Sequence, residues 1–198
     1  MASLAEARRT LEGSLALARR DPDASRYFDL SADSFWRSFG AILFIAPLYL
    51  IFVMAEARML EESDAPAAAM APSGIGLLSA EFLTLGIGWI AYPLAMYVAT
   101  RTFGLGHRFV PYVIVYNWSS LFVTLVIAPP FLLYALGLLP LGGAILLNLV
   151  TFIAAVIYRW MIATEVLGAP GPTAAGFVAL DVALGLLIDA AISSAFMA

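Results

Sequence analysis

Five long apolar runs, separated by short stretches rich in Arg, Gly and Pro, set the pattern of the chain. They fall at about residues 35–55, 77–100, 109–128, 141–163 and 173–197. Each reaches about 20 residues, which at 1.5 Å per residue carries a helix across a hydrocarbon core of about 30 Å. None shows the ten-residue alternation of a barrel strand. The pattern therefore predicts an all-α, polytopic membrane protein with five transmembrane helices in residues 35–198. Residues 131–139 are too short to cross alone, and are expected to extend a tilted third helix beyond Pro129-Pro130 or to lie at the interface. Pro47 and Pro93 stand inside the first two spans, and Gly86 and Gly88 of the second are expected to admit a close-packed neighbour.

Residues 1–34 form an N-terminal arm of a different texture. Ser3 and Glu6 have capping-box spacing, and Leu4, Leu11, Leu15 and Ala18 share one side of a helix over residues 3–20. Arg8, Arg9, Arg19 and Arg20 fall mostly elsewhere, so this amphipathic helix is expected to lie on anionic lipid or to serve as a solvated or docking arm. Asp21-Pro22-Asp23 ends it. The arm lacks the apolar core of a signal peptide, which makes the first run a retained span. Tyr27, Phe28, Phe35 and Trp36 suit the headgroup boundary. The connection 56–73 is acidic and Ala/Pro-rich, with Glu56, Glu61, Glu62 and Asp64 against Arg58, and reads as a mobile loop.

Composition agrees with the pattern. Of 198 residues, 63% are hydrophobic and 12% charged, about half the charged share of a soluble domain. All ten basic residues are Arg. With the N-terminus cytoplasmic, nine of them (Arg8, Arg9, Arg19, Arg20, Arg26, Arg37, Arg101, Arg108 and Arg159) fall on the inner side and only Arg58 on the outer. That partition predicts an N-in, C-out orientation. The Ala/Arg-rich, Lys-free usage points to a bacterial inner membrane. The absence of cysteine excludes disulfides and thiolate chemistry. Nothing implies nucleic acid; the expected partners are the lipid bilayer and another membrane protein or a second copy of the chain.

Candidate chemistry is confined to the membrane. In the last span Asp181, Gly185, Asp189 and Ser193 recur every fourth residue, each step turning only about 40°, so they form one slowly winding stripe. A carboxylate near mid-bilayer costs roughly 2.5–3.5 kcal/mol on insertion scales, so each needs a partner or a use. Arg159, near the same end of the fourth span, is placed to pair with Asp181. Asp189 lies at a depth similar to Glu81 on the second span, where two carboxyls share a proton or hold a cation. Ser193, Asn148 and Tyr92 are alternative hydrogen-bond partners within a packed bundle. His107 is alone in a loop, so no catalytic, cofactor or metal site is expected. Two functions remain: a non-enzymatic scaffold or accessory subunit, and a small transporter or ion-conducting protein using the intramembrane carboxylates.

From Phe35 onward the layout resembles bacterial relatives of the Yip family, five-span proteins named for interaction with Rab-type GTPases. The resemblance rests on the loop Arg101-Thr-Phe-Gly-Leu-Gly-His-Arg108, the aromatic entry Val110-Pro-Tyr-Val-Ile-Val-Tyr-Asn-Trp118, and the exit through Tyr158 and Glu165-Val-Leu-Gly168. The Asp-Leu-Tyr-Gly-Pro signature of eukaryotic members is absent, with Phe28-Asp-Leu-Ser31 its nearest match. The resemblance implies an N-in, five-span membrane organiser and carries over no functional residue.

Overall fold

The computed structural model describes residues 3–62 and 74–197. Among these the chain is helical throughout, without strands. Helix α1 (Leu4–Ala18) is followed by a tight turn at Ala24–Tyr27 and by α2 (Ala32–Ser38), which runs through a 3-10 turn into α3 (Ile42–Glu61). The remaining helices are α4 (Ile75–Thr102), α5 (Phe109–Ala135), α6 (Leu141–Glu165) and α7 (Gly171–Met197). Five stretches are long and apolar enough to cross a membrane: Ala32–Glu61, Ile75–Thr102, Gly106–Ala135, Leu141–Glu165 and Gly171–Phe196.

The first and third spans outrun their apolar runs, the first because polar residues at its end find partners. The first continues past Ala55 to Glu61 instead of opening into a loop at Glu56. There Arg58 pairs with Glu62 at 2.7 Å and donates to the Tyr134 carbonyl at 3.0 Å, while the Tyr134 hydroxyl donates to Glu62 at 2.9 Å. These bonds staple the far end of α3 to that of α5. They also hold the Glu62 carboxyl below the ordinary glutamate value, the Arg58 hydrogen bond first and the Tyr134 bond second. Asp64 and the rest of the acidic connection lie outside the described residues. The third span passes through Pro129 and Pro130 to Ala135, so residues 131–135 lengthen the helix. Two missing N–H groups leave carbonyls that packed neighbours tolerate inside a bundle. Gly137 and Gly168 end α5 and α6 with φ +72° each, the left-handed cap that glycine adopts without strain.

The five spans close a ring. Helix α5 packs on α3 and α6, α6 on α7, α7 on α4, and α4 back on α3. At the N-terminal end, α1 and α2 cover the outside of α5. Ten consecutive residues of α5, Tyr112–Leu121, are therefore buried on every side.

Helix α1 has Ser3 as its cap, accepting from Glu6 N–H at 3.1 Å, but it docks by an unexpected face. Ala7, Thr10, Ser14 and Leu17 are buried, whereas Leu4 is 78% and Leu15 39% exposed. The buried face is small, so the α1 backbone approaches α5 closely. Its hydroxyls also arrive satisfied, since Thr10 donates to Glu6 and Ala7 carbonyls and Ser14 to the Thr10 carbonyl. A Cβ on Gly13 would meet Tyr27 Cβ at 2.5 Å; this contact seats Phe28 beneath the helix, while Trp36 remains 75% exposed. The arm is thus part of the membrane domain's packing, not a separate surface helix.

Candidate functional site

The ring encloses a cavity of about 230 Å³ to which α3, α4, α5, α6 and α7 all contribute side chains. Among its polar lining residues are Tyr116, Asn117 and Ser120 on α5, Arg159 on α6 and Asp181 on α7. Asp181 lies ten residues, or about 15 Å, along α7 from Gly171. At that depth water is scarce, so each charge must find its partners within the bundle.

Tyr116 organises those partners. Its hydroxyl lies 2.8 Å from both carboxylate oxygens of Asp181. Its ring sits under the Arg159 guanidinium at 3.8 Å, and its carbonyl accepts from Arg159 Nη1 at 3.2 Å. Arg159 Nη2 donates to Ser120 Oγ at 2.9 Å. Arg159 Nε stands 3.9 Å from Asp181 Oδ2, a charge contact rather than a short hydrogen bond. The short bonds thus run through Tyr116, and the opposite charges compensate each other around it. With side-chain exposures of 14% and 23%, both groups face the cavity.

Asn117 adds an unused acceptor. Ser38 Oγ gives its proton to the Phe35 carbonyl at 2.7 Å, so the Asn117 atom 3.0 Å from Ser38 must be the donor Nδ2. That leaves Asn117 Oδ1 buried and without a hydrogen-bond partner among the described residues, in a side chain that lines the cavity. Such a group normally finds a partner. The site offers a compensated cation–anion pair with spare guanidinium N–H groups. Gly88 and Gly185 form parts of its wall, and a Cβ on either meets nothing within 4 Å. Gly86 and Gly88 therefore admit no close-packed neighbour; at Gly88 the missing side chain leaves cavity space.

The cavity is closed toward the N-terminal end and continues toward the other. On the closed side Tyr92 and Tyr112 join hydroxyls at 2.6 Å, Tyr92 stacks 4.4 Å from Tyr116, and Met96 is fully buried. The 3-10 turn at Phe39–Ala41 is held there by the Trp89 indole, which donates to the Phe39 carbonyl at 3.0 Å. On the opposite side Tyr49 and Thr124 line both this cavity and a second one of about 550 Å³, which contains Glu56 and Glu81.

The other candidates from the stripe are placed apart. Asp189 is exposed and makes no hydrogen bond or ion pair among the described residues; Glu81 lines the second cavity together with Glu56. Ser193 contributes nothing to the polar network, and Asn148, with Oδ1 unpartnered, lies outside the cavity lining. Asp181 is satisfied by Tyr116, not by Ser193, Asn148 or Tyr92. A helix turns 100° per residue, so a four-residue stripe drifts round the axis and its far end leaves the face that its near end presents. No group of three His, Cys, Asp or Glu side chains with metal-binding geometry occurs among the described residues.

No family model matches the sequence, and neither the curated proteins nor the solved structures compared with it give a match.

Proposed function

We propose that the protein is a non-enzymatic, solute-handling membrane protein, of the small-transporter type, with its site in the cavity between the five spans. The observation that carries this reading is the Arg159–Tyr116–Asp181 constellation, facing a largely apolar cavity lined by all five spans. Ionisable groups at this depth mark ligand or ion pathways more often than packing. Because the charges compensate, the site favours a small neutral or zwitterionic solute over a bare ion. A volume of about 230 Å³ exceeds the roughly 150 Å³ of a cavity that accommodates benzene, so the site suits a small solute. The nine-to-one Arg partition supports a cytoplasmic N-terminus, so that the open side faces outward, and the Ala/Arg-rich, Lys-free usage supports a bacterial inner membrane.

The test is osmotic reswelling of proteoliposomes in glycine, trimethylglycine, urea and glycerol. The proposal expects at least one solute to enter faster than into protein-free vesicles. Modifying G185C with a bulky thiol reagent should abolish the difference. Rates equal to protein-free vesicles for every solute would remove the reading.

A second reading has its own support. Ala175, Ala179 and Ala183 recur every fourth residue on α7 and, with Phe152, Val156 and Trp160 of α6, line an outward apolar groove of about 530 Å³. Small residues at this spacing let another membrane helix approach closely, as a Yip-like scaffold or accessory subunit would require. Ala179→Leu should then displace a stoichiometric partner recovered with mild detergent; a clean monomer from both proteins would count against it.

A further inference from the structure

Helix α1 meets α5 and α6 at the level where these helices hold the cavity site. Ser14 is fully buried, with Oγ 3.1 Å from Ser119 Oγ. The Ser14 proton goes to the Thr10 carbonyl at 2.8 Å, so Ser119 donates to Ser14. The Tyr158 hydroxyl then donates to Ser119 Oγ and to the Ser14 carbonyl, each at 3.1 Å. Three helices thus share one buried hydroxyl cluster.

The next residue on each of the two spans lines the cavity. Ser120 follows Ser119 and Arg159 follows Tyr158, and this second pair bonds at 2.9 Å on the cavity side. Consecutive residues are 100° apart on a rigid helix. A movement of α6 against α5 that parts Tyr158 from Ser14 and Ser119 therefore also shifts Arg159 against Ser120, Tyr116 and Asp181. Outside the bundle and inside it, the same α5–α6 register is fixed by adjacent residues.

We propose that α1 is a built-in clamp on the cavity. Docked through Ser14, it locks the α5–α6 register that seats Arg159 over Tyr116; undocked, it frees α6 and opens the closed, N-terminal side of the cavity. The inference rests on the cavity being a solvent-reachable site, and the experiment separates the two ideas.

The chain's lack of cysteine makes G185C a clean reporter of the cavity wall. A small cationic methanethiosulfonate is applied to either face of oriented proteoliposomes. With α1 unaltered, G185C should react from the C-terminal face alone. In S14A/G185C, reaction from the N-terminal face should appear and rise about fivefold above background, the shift expected from losing one buried hydrogen bond. G13V, whose side chain collides with Tyr27 and Phe28, should act more strongly. T10C, at a position 2% exposed when α1 is docked, reports undocking independently, becoming reactive in T10C/G13V. If T10C becomes reactive in T10C/G13V while G185C/G13V and S14A/G185C still react only from the C-terminal face, the clamp is refuted and the cavity stands. If G185C reacts from neither face with α1 unaltered, the cavity reading itself falls.

Discussion

Tyr116 donates its hydroxyl to both carboxylate oxygens of Asp181, each 2.8 Å away, and so links two spans that do not follow each other in the chain. The bond has a charged acceptor in a low-dielectric setting, which places it among the stronger hydrogen bonds. Tyr116→Phe keeps the ring beneath Arg159 and removes only the hydroxyl. It should destabilise the detergent-solubilised protein by about 1.5–3 kcal/mol, read by thermal or denaturant unfolding. Tyr92→Phe, which breaks the neutral 2.6 Å pair with Tyr112, should cost about half as much. Equal losses would mean that Asp181 gains little from Tyr116.

Arg159 and Asp181 should behave as a coupled pair. Removing one partner leaves the other charge uncompensated inside the bundle, a loss of about 3–5 kcal/mol. Arg159→Met and Asp181→Leu should each show such a loss, while the double variant recovers much of it because both charges are gone. Unfolding midpoints across this cycle measure the coupling. Strictly additive losses would show that the 3.9 Å approach carries no energy.

Much of this framework was legible in the sequence, because apolar length alone sets span number. The Arg159–Asp181 approach was legible too, since a short turn makes α6 and α7 antiparallel neighbours and fixes their depths. What sequence could not convey was which residue satisfies Asp181. Tyr116 comes from a non-consecutive span, and its depth alone did not distinguish it from Tyr92, Asn148 or Ser193. The docked face of α1 was hidden for another reason. A pattern of Leu marks bulk, whereas Ala7, Thr10, Gly13 and Ser14 pack by backbone proximity and leave little hydrophobic signal. In the sequence Asp189 stands at the depth of Glu81 as a candidate carboxyl pair. The structure exposes it and gathers the cavity around Asp181.

At the far end of the bundle, Glu62 should make stability depend on pH. Its folded value is lowered by the bonds from Arg58 and Tyr134, so its contribution is fully present above the unfolded value of about 4.3 and fades as pH falls through the lower folded value. Glu62→Gln removes this titration. The gap between the unfolding midpoints of wild type and E62Q should therefore be widest near neutral pH and close as pH drops below about 4.3. A gap that stays constant down to pH 3 would show that the carboxylate is not held by this staple.

The α6–α7 turn should resist any side chain at residue 168. Gly168 has φ +72°, where an L-residue costs about 1–3 kcal/mol. A Cβ there would also stand 2.6 Å from Arg108 Nη1, so the Arg108 guanidinium has to give way. The two effects separate by mutation. Gly168→Ala should destabilise through both, while Gly168→Ala in an Arg108→Ala background should retain the backbone cost and lose the collision. Gly142→Ala, at a helical glycine with nothing within 4 Å of its Cβ, serves as the control and should be neutral or slightly stabilising. If G168A and G142A unfold at the same midpoint, the left-handed conformation at the turn is not what selects glycine there.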